Sequence, residues 1–119
     1  MIGSFMPQGN TVAITSAVAS TAAVQVPNSQ GSAGLGPSDY LLNVVGAVTV
    51  FVVFTTIQNY AANGNAATAA VIPVNGTPAN GFPVAPGVPQ VVTIAPGAYV
   101  TSIATATTST LYITPGQRN

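Results

Sequence analysis

A chain of 119 residues is one domain of ordinary size, long enough to bury roughly two-thirds of its unfolded surface in a single core. Hydrophobic residues make up 48% of it, too many for a disordered chain, yet only 2% of residues are charged, against roughly 25% in an average soluble domain. The charges are one acid, Asp39, and one base, Arg118, so nucleic acid and anionic membrane surfaces, which are bound through clusters of Lys and Arg, are excluded as partners. A net charge of zero also removes colloidal repulsion, which points to a place inside an assembly.

In chain order, the opening "MIGSFMPQGN" has neither a basic segment nor a continuous apolar run, so no Sec-type signal peptide is expected. Residues 1–10 read as an N-terminal arm. The apolar Ile2, Phe5, Met6 and Pro7 suit a segment that orders on a neighbouring subunit, or one that folds back onto its own domain. The alternating "TVAIT" (11–15) and "AAVQV" (22–26) read as strands, and "PNSQGSAGLGPS" (27–38) as a loop.

The longest apolar run, "YLLNVVGAVTVFVVF", has no basic residue on either flank. From Tyr40 to Ile57 it covers 18 residues, the short edge of what crosses about 30 Å of hydrocarbon as a helix. Asn43 and Gly46 interrupt it, and Val44, Val45, Val48, Thr49, Val50, Val52 and Val53 are β-branched. Strands fit better than a membrane span. Gly46-Ala47 suits a type II′ turn, which would pair Val45 with Val48, Asn43 with Val50 and Leu41 with Val52. Both faces of that hairpin would be apolar. One would line the core and the other would need a second cover, such as a subunit or a larger partner.

"NYAANGNAATAAVIPV" (59–74) has the makings of a short helix, but Asn63-Gly64 breaks it, so it reads rather as a loop leading into a brief strand near Ala69 to Val74. The sequon Asn75-Gly76-Thr77 reads as a turn. Pro73, Pro78, Pro83, Pro86 and Pro89 demand extended chain and edge strands, and Phe82 makes this span a second candidate contact surface, with Pro78 and Pro83. "QVVTI", "AYVTSIAT" and "STLYIT" close the chain, with Pro-Gly turns expected at 86–87, 96–97 and 115–116 and a loose tail at 117–119. Residues 11–116 therefore form a single all-β domain, a compact antiparallel β-sandwich or jelly-roll-like barrel of seven to nine short strands.

The inventory for catalysis is bare. The chain has no His, Lys or Cys, and Asp39 has no second carboxylate to work with. General-base, thiol and amine chemistry, a glycosidase carboxylate pair and a metal site all lack their residues, and no cofactor is expected. The chain reads as non-enzymatic. Asp39 suits a turn cap or a solvent-facing position, or else an ion pair with a partner, and Arg118 a solvated tail.

The segment "NVVGAVTVFVVF" (43–54), together with the terminal "TLYITPG" (110–116), resembles small structural proteins of tailed bacteriophage heads, the decoration or cement subunits that cover a capsid. The similarity runs from about Val12 to Gly116. Where such proteins often carry a base, a glycine and an acid, this chain has Val53, Thr55 and Gln117. The resemblance implies a β-sandwich or jelly-roll-like subunit, often trimeric, bound to the major capsid protein on the virion surface and made in the bacterial cytoplasm. Alternatives are another virion part (head fibre base, head–tail connector or tail subunit) or a non-viral surface-layer, pilus or adhesin subunit. A carbohydrate-binding module would have to rely on Tyr40, Tyr60, Tyr99 and Tyr112 without a Trp.

Overall fold

The computed structural model describes residues 5–7, 9–26, 38–95 and 97–118. Its strands are β1 (Phe5–Pro7), β2 (Val12–Ser16), β3 (Val24–Gln25), β4 (Ser38–Gly46), β5 (Val50–Thr55), β6 (Phe82–Val84), β7 (Gln90–Ile94), β8 (Tyr99–Ala104) and β9 (Ser109–Arg118). A single short helix, α1 (Ile57–Ala62), follows β5. Among the described residues no helix is long and apolar enough to cross a membrane.

The strands form two antiparallel sheets packed as a β-sandwich. The first has the order β1-β9-β4-β7, with β2 also paired to β9, and the second has the order β3-β8-β5-β6. Thus β2 pairs with β9, β3 with β8, β4 with β7 and β5 with β6. These are the pairings of one long hairpin wrapped around itself, the winding of a jelly roll. Strand alternation fills the space between the sheets. Tyr40, Leu42 and Val44 of β4, Val50 and Val52 of β5, Val84, Val100, Leu111 and Ile113 all point inward and are buried. Within this interior the buried hydroxyls of Ser16 and Ser102 bond to each other at 2.7 Å.

The expected hairpin across Gly46-Ala47 does not form. β4 lies in the first sheet and β5 in the second, so Val45 faces Thr110 rather than Val48, and Val50 faces Ala104 and Val84. The reason is a contact with Ser109, far along the chain. Gly46 has φ +153°, and a Cβ built on it would meet the Ser109 Oγ at 2.3 Å. Ser109 Oγ accepts from Val48 N–H at 3.2 Å and donates to Val48 C=O at 3.0 Å. The serine takes the bonds a hairpin partner would have made, and the chain turns a corner into the other sheet.

The second cover inferred for the outer face comes from the chain itself. Residues 56–81 lie over the second sheet and bury its outward Val53, Thr55 and Thr101. Within this roof, Thr68 N–H donates to Thr55 Oγ1 at 3.0 Å, and Thr101 Oγ1 donates to the Thr68 carbonyl at 2.7 Å. α1 stands where a loop was expected. Thr56 caps it by accepting from Asn59 N–H at 3.2 Å, and it ends at Asn63-Gly64, the break expected from those residues. No strand runs through 69–74; there the chain bonds to side chains instead, Ala70 N–H to Ser20 Oγ and Val71 N–H to Asn80 Oδ1.

At Pro86-Gly87 the expected turn is present, with Val88 N–H on the Ala85 carbonyl and Gly87 at φ +75°. Pro115-Gly116 is no turn but lies inside β9, opposite Tyr40 and Asp39. The break between β1 and β2 falls opposite Thr114 and Pro115, where the missing proline N–H removes a ladder donor. β9 then continues through Gln117 and Arg118, the residues read as tail, because β1 supplies them with a partner.

Gly46→Ala is expected to destabilise the protein by about 2–4 kcal/mol, from overpacking against Ser109 plus backbone strain. Gly76→Ala, at φ +79° but with open space around it, should cost only about 1–2 kcal/mol. Urea unfolding of the two variants checks the difference. In the same assay Ser16→Ala and Ser102→Ala should each cost about 1–3 kcal/mol by stranding a buried hydroxyl. The double variant should cost clearly less than the sum.

Candidate interaction surfaces

Hydroxyls, amides and short loops furnish the polar chemistry of this surface. Among the described residues there is no cluster of three His, Cys, Asp or Glu that could hold a metal. Asp39 is half-buried in β4 and accepts a hydrogen bond from Thr93 Oγ1 at 2.6 Å, across the pair of residues that the β4–β7 register sets opposite each other. It is a ladder residue, not a turn cap.

The contact residues expected from the sequence do not gather in one place. Ile2 lies outside the described residues, as do the side chains of Phe5 and Met6; the backbone of Phe5–Pro7 is β1, folded back onto β9. Pro7 is exposed at that sheet edge. Pro78 is exposed in the roof over the second sheet, and Pro83 is exposed on the edge strand β6. Phe82 is half-buried. It packs against the core and stacks on Phe54, with ring centroids 6.0 Å apart. The strand period explains why: Phe82 and Val84 share the inward face and Pro83 the outward one.

A groove lies beside the β3 edge. It has a volume of about 460 Å3 and runs between residues 20–23 and the roof segment 65–69, with Tyr60 in its wall. Tyr60 is held by a parallel stack on Tyr99 of β8, centroids 3.7 Å apart. The hydroxyls along it are already engaged in the fold: Ser20 accepts from Ala70 N–H, Thr21 accepts from Ser102 N–H, and Thr101 donates to the Thr68 carbonyl. Those bonds fasten the roof to the sheet.

A different arrangement stands out along the long axis of the strands. Four connections meet at one end of the sandwich: β2 to β3, β4 to β5, β6 to β7 and β8 to β9. The registers place them there, since Ser16 and Gly46 both face Ser109, while Val50 faces Ala104 and Val84. Three well-exposed valines stand at this end, Val18 (64%), Val45 (57%) and Val88 (55%). Backbone bonds hold the loops together there: Ala104 N–H to Ala17 C=O, Thr105 N–H to Thr49 C=O and Gly87 N–H to Val44 C=O. Asp39 is the second residue of β4 and Arg118 ends β9, so both charged positions of the chain lie toward the opposite end. Isolated valines among small loop residues carry no periodic signal, which is why this end was not visible in the sequence.

Comparison with known proteins adds no neighbour: no protein-family model matches the chain, and neither a curated protein nor a solved structure does.

Removing residues 1–8 takes away β1, which pairs at the far end of β9. The shortened chain is expected to unfold cooperatively with a loss of about 1–2 kcal/mol, since a three-residue edge ladder is a small part of the total. Thermal unfolding of both forms measures this.

Proposed function

We propose that this chain is a non-enzymatic virion structural protein, a decoration or cement subunit that binds the outside of a bacteriophage capsid through its major capsid protein. One observation carries the proposal: a fully folded jelly-roll domain in which 2% of residues are charged. Such a surface is poorly suited to life as a free solute and well suited to standing among copies of itself or of a shell. The segments at 43–54 and 110–116 support the same reading by their likeness to head structural proteins. The jelly roll is compatible with it, being a frequent architecture of capsid-associated domains, though a fold alone does not assign a task.

The mechanism is burial. A standard interface of about 1,600 Å2 at about 25 cal/mol per Å2 gives tens of kcal/mol gross, most of it offset by the loss of translational and side-chain freedom. Repeated contacts within an oligomer, a trimer in this reading, then add through effective concentration. Without charge, the attachment is insensitive to ionic strength.

Quantifying the chain against the major shell protein in purified particles, washed at low and at high salt, tests the proposal. Hundreds of copies retained under both washes is the expected result. A handful per particle would move the chain to a vertex, fibre or tail position. Its absence from particles, or its release by salt alone, would overturn the cement reading.

A further inference from the structure

We infer that Asn75 is a site of spontaneous covalent modification, at which the folded chain converts an amide to a carboxylate and so gains a second acid. This goes beyond the structural role proposed above and does not depend on it. Asn followed by Gly is an especially labile pair, because glycine has no side chain to shield its backbone nitrogen from the amide beside it. The sequence holds three such pairs: Asn63-Gly64, Asn75-Gly76 and Asn80-Gly81. All three lie in the 56–81 roof, and sequence alone ranks them equally.

The fold separates them. At the first pair, Gly64 N–H donates to the Ala61 carbonyl at 3.2 Å, so the nitrogen that would attack is tied to the end of α1. At the third, the Asn80 amide is held from both sides. Its Oδ1 accepts from Val71 N–H at 3.1 Å, and its Nδ2 donates to the Ala69 carbonyl at 3.0 Å. A Cβ built on Gly81 would meet Phe51 and the Val71 carbonyl oxygen at 2.9 Å, so the backbone there has little room to swing. Asn75 and Gly76 are instead the central residues of an exposed turn. Thr77 N–H closes it on the Val74 carbonyl at 2.9 Å, with Gly76 at φ +79°. Among the described residues nothing holds the Asn75 amide or the Gly76 N–H, and a Cβ on Gly76 would meet nothing within 4 Å.

The conversion needs only water. The Gly76 nitrogen gives its proton to a base in solution and attacks Asn75 Cγ. The new N–Cγ bond closes a cyclic imide, the Cγ–Nδ2 bond breaks, and Nδ2 leaves as ammonia. Water then opens the imide at one of its two carbonyls, giving aspartate if it cleaves at Cγ and isoaspartate if it cleaves at the main-chain carbon. Either product sets two acids against one base and moves the net charge from zero to minus one. The roof stays tied, because its anchoring bonds run through Ser20, Thr55, Thr68, Asn80 and Thr101. An acid at position 80 would lose the donor to Ala69, so the best-protected pair is the one whose conversion would loosen the roof.

The test holds the full chain at mildly alkaline pH for several days, folded and in concentrated urea, beside an Asn75→Gln variant. Isoelectric focusing follows the new charge, and fragment mass spectrometry locates it. In the folded chain Asn75 is expected to convert, with Asn63 and Asn80 at least about tenfold slower, since each must first open its hydrogen bonds. In urea the three should convert alike. N75Q should keep its original isoelectric point, and the converted wild type should melt with the unconverted. Comparable conversion of Asn63 or Asn80 in the folded chain would overturn the assignment. So would a folded chain that leaves Asn75 intact while the unfolded chain converts it. A lower melting temperature after conversion would overturn the claim that the roof stays tied.

Discussion

Everything in this fold turns on the place where Gly46 meets Ser109. β4 arrives there in one sheet, and β5 leaves in the other. The passage is possible because Gly46 has no Cβ to strike the serine, and because Ser109 Oγ supplies both an acceptor and a donor to Val48. With β4 and β5 separated, each becomes a central strand flanked on both sides: β4 by β7 and β9, β5 by β6 and β8. Two apolar strands that would have formed one exposed ribbon become the middle of two facing sheets. The inward residues of both then share one core.

A chain with one acid and one base must settle nearly every buried polar group by neutral hydrogen bonding, and the serines and threonines do this work. Ser16 and Ser102 satisfy each other between the sheets. Thr55 and Thr101 hold the two sides of Thr68 and so tie the roof down, and Ser20 and Asn80 accept the amides of Ala70 and Val71. Among the described residues no buried side-chain nitrogen or oxygen is left without a partner. Neutral bonds are individually modest, on the order of 1 kcal/mol net, but a buried hydroxyl that loses its partner costs more than the bond gained. The interior is thus specified by its hydroxyls as much as by its valines.

How much of this could be read in advance follows from the range of each signal. Alternation with period two found β2, β3, β7 and β8, because it depends only on neighbours in sequence, but in the apolar run it left open which face would line the core. The turn at Pro86-Gly87 was legible for the same reason. Sheet membership was not. Whether Gly46 makes a hairpin or a corner depends on Ser109, more than sixty residues away, and nothing between residues 40 and 55 records it. The roof was missed likewise: its anchors are single side chains that meet only once β5 and β8 are paired. Of the expected contact residues, Phe82 was lost to the core by the parity of β6, while the exposed valines at the four-loop end had no pattern to announce them.

The roof also changes what the missing charge implies. Before the fold is known, two apolar faces on one ribbon suggest that a partner must cover one of them. In the folded chain residues 56–81 cover it, so the need for an assembly can no longer rest on an orphaned sheet face. It rests instead on composition: one acid and one base in 119 residues leave the folded surface almost without charge, and such a surface gives a free solute little colloidal repulsion.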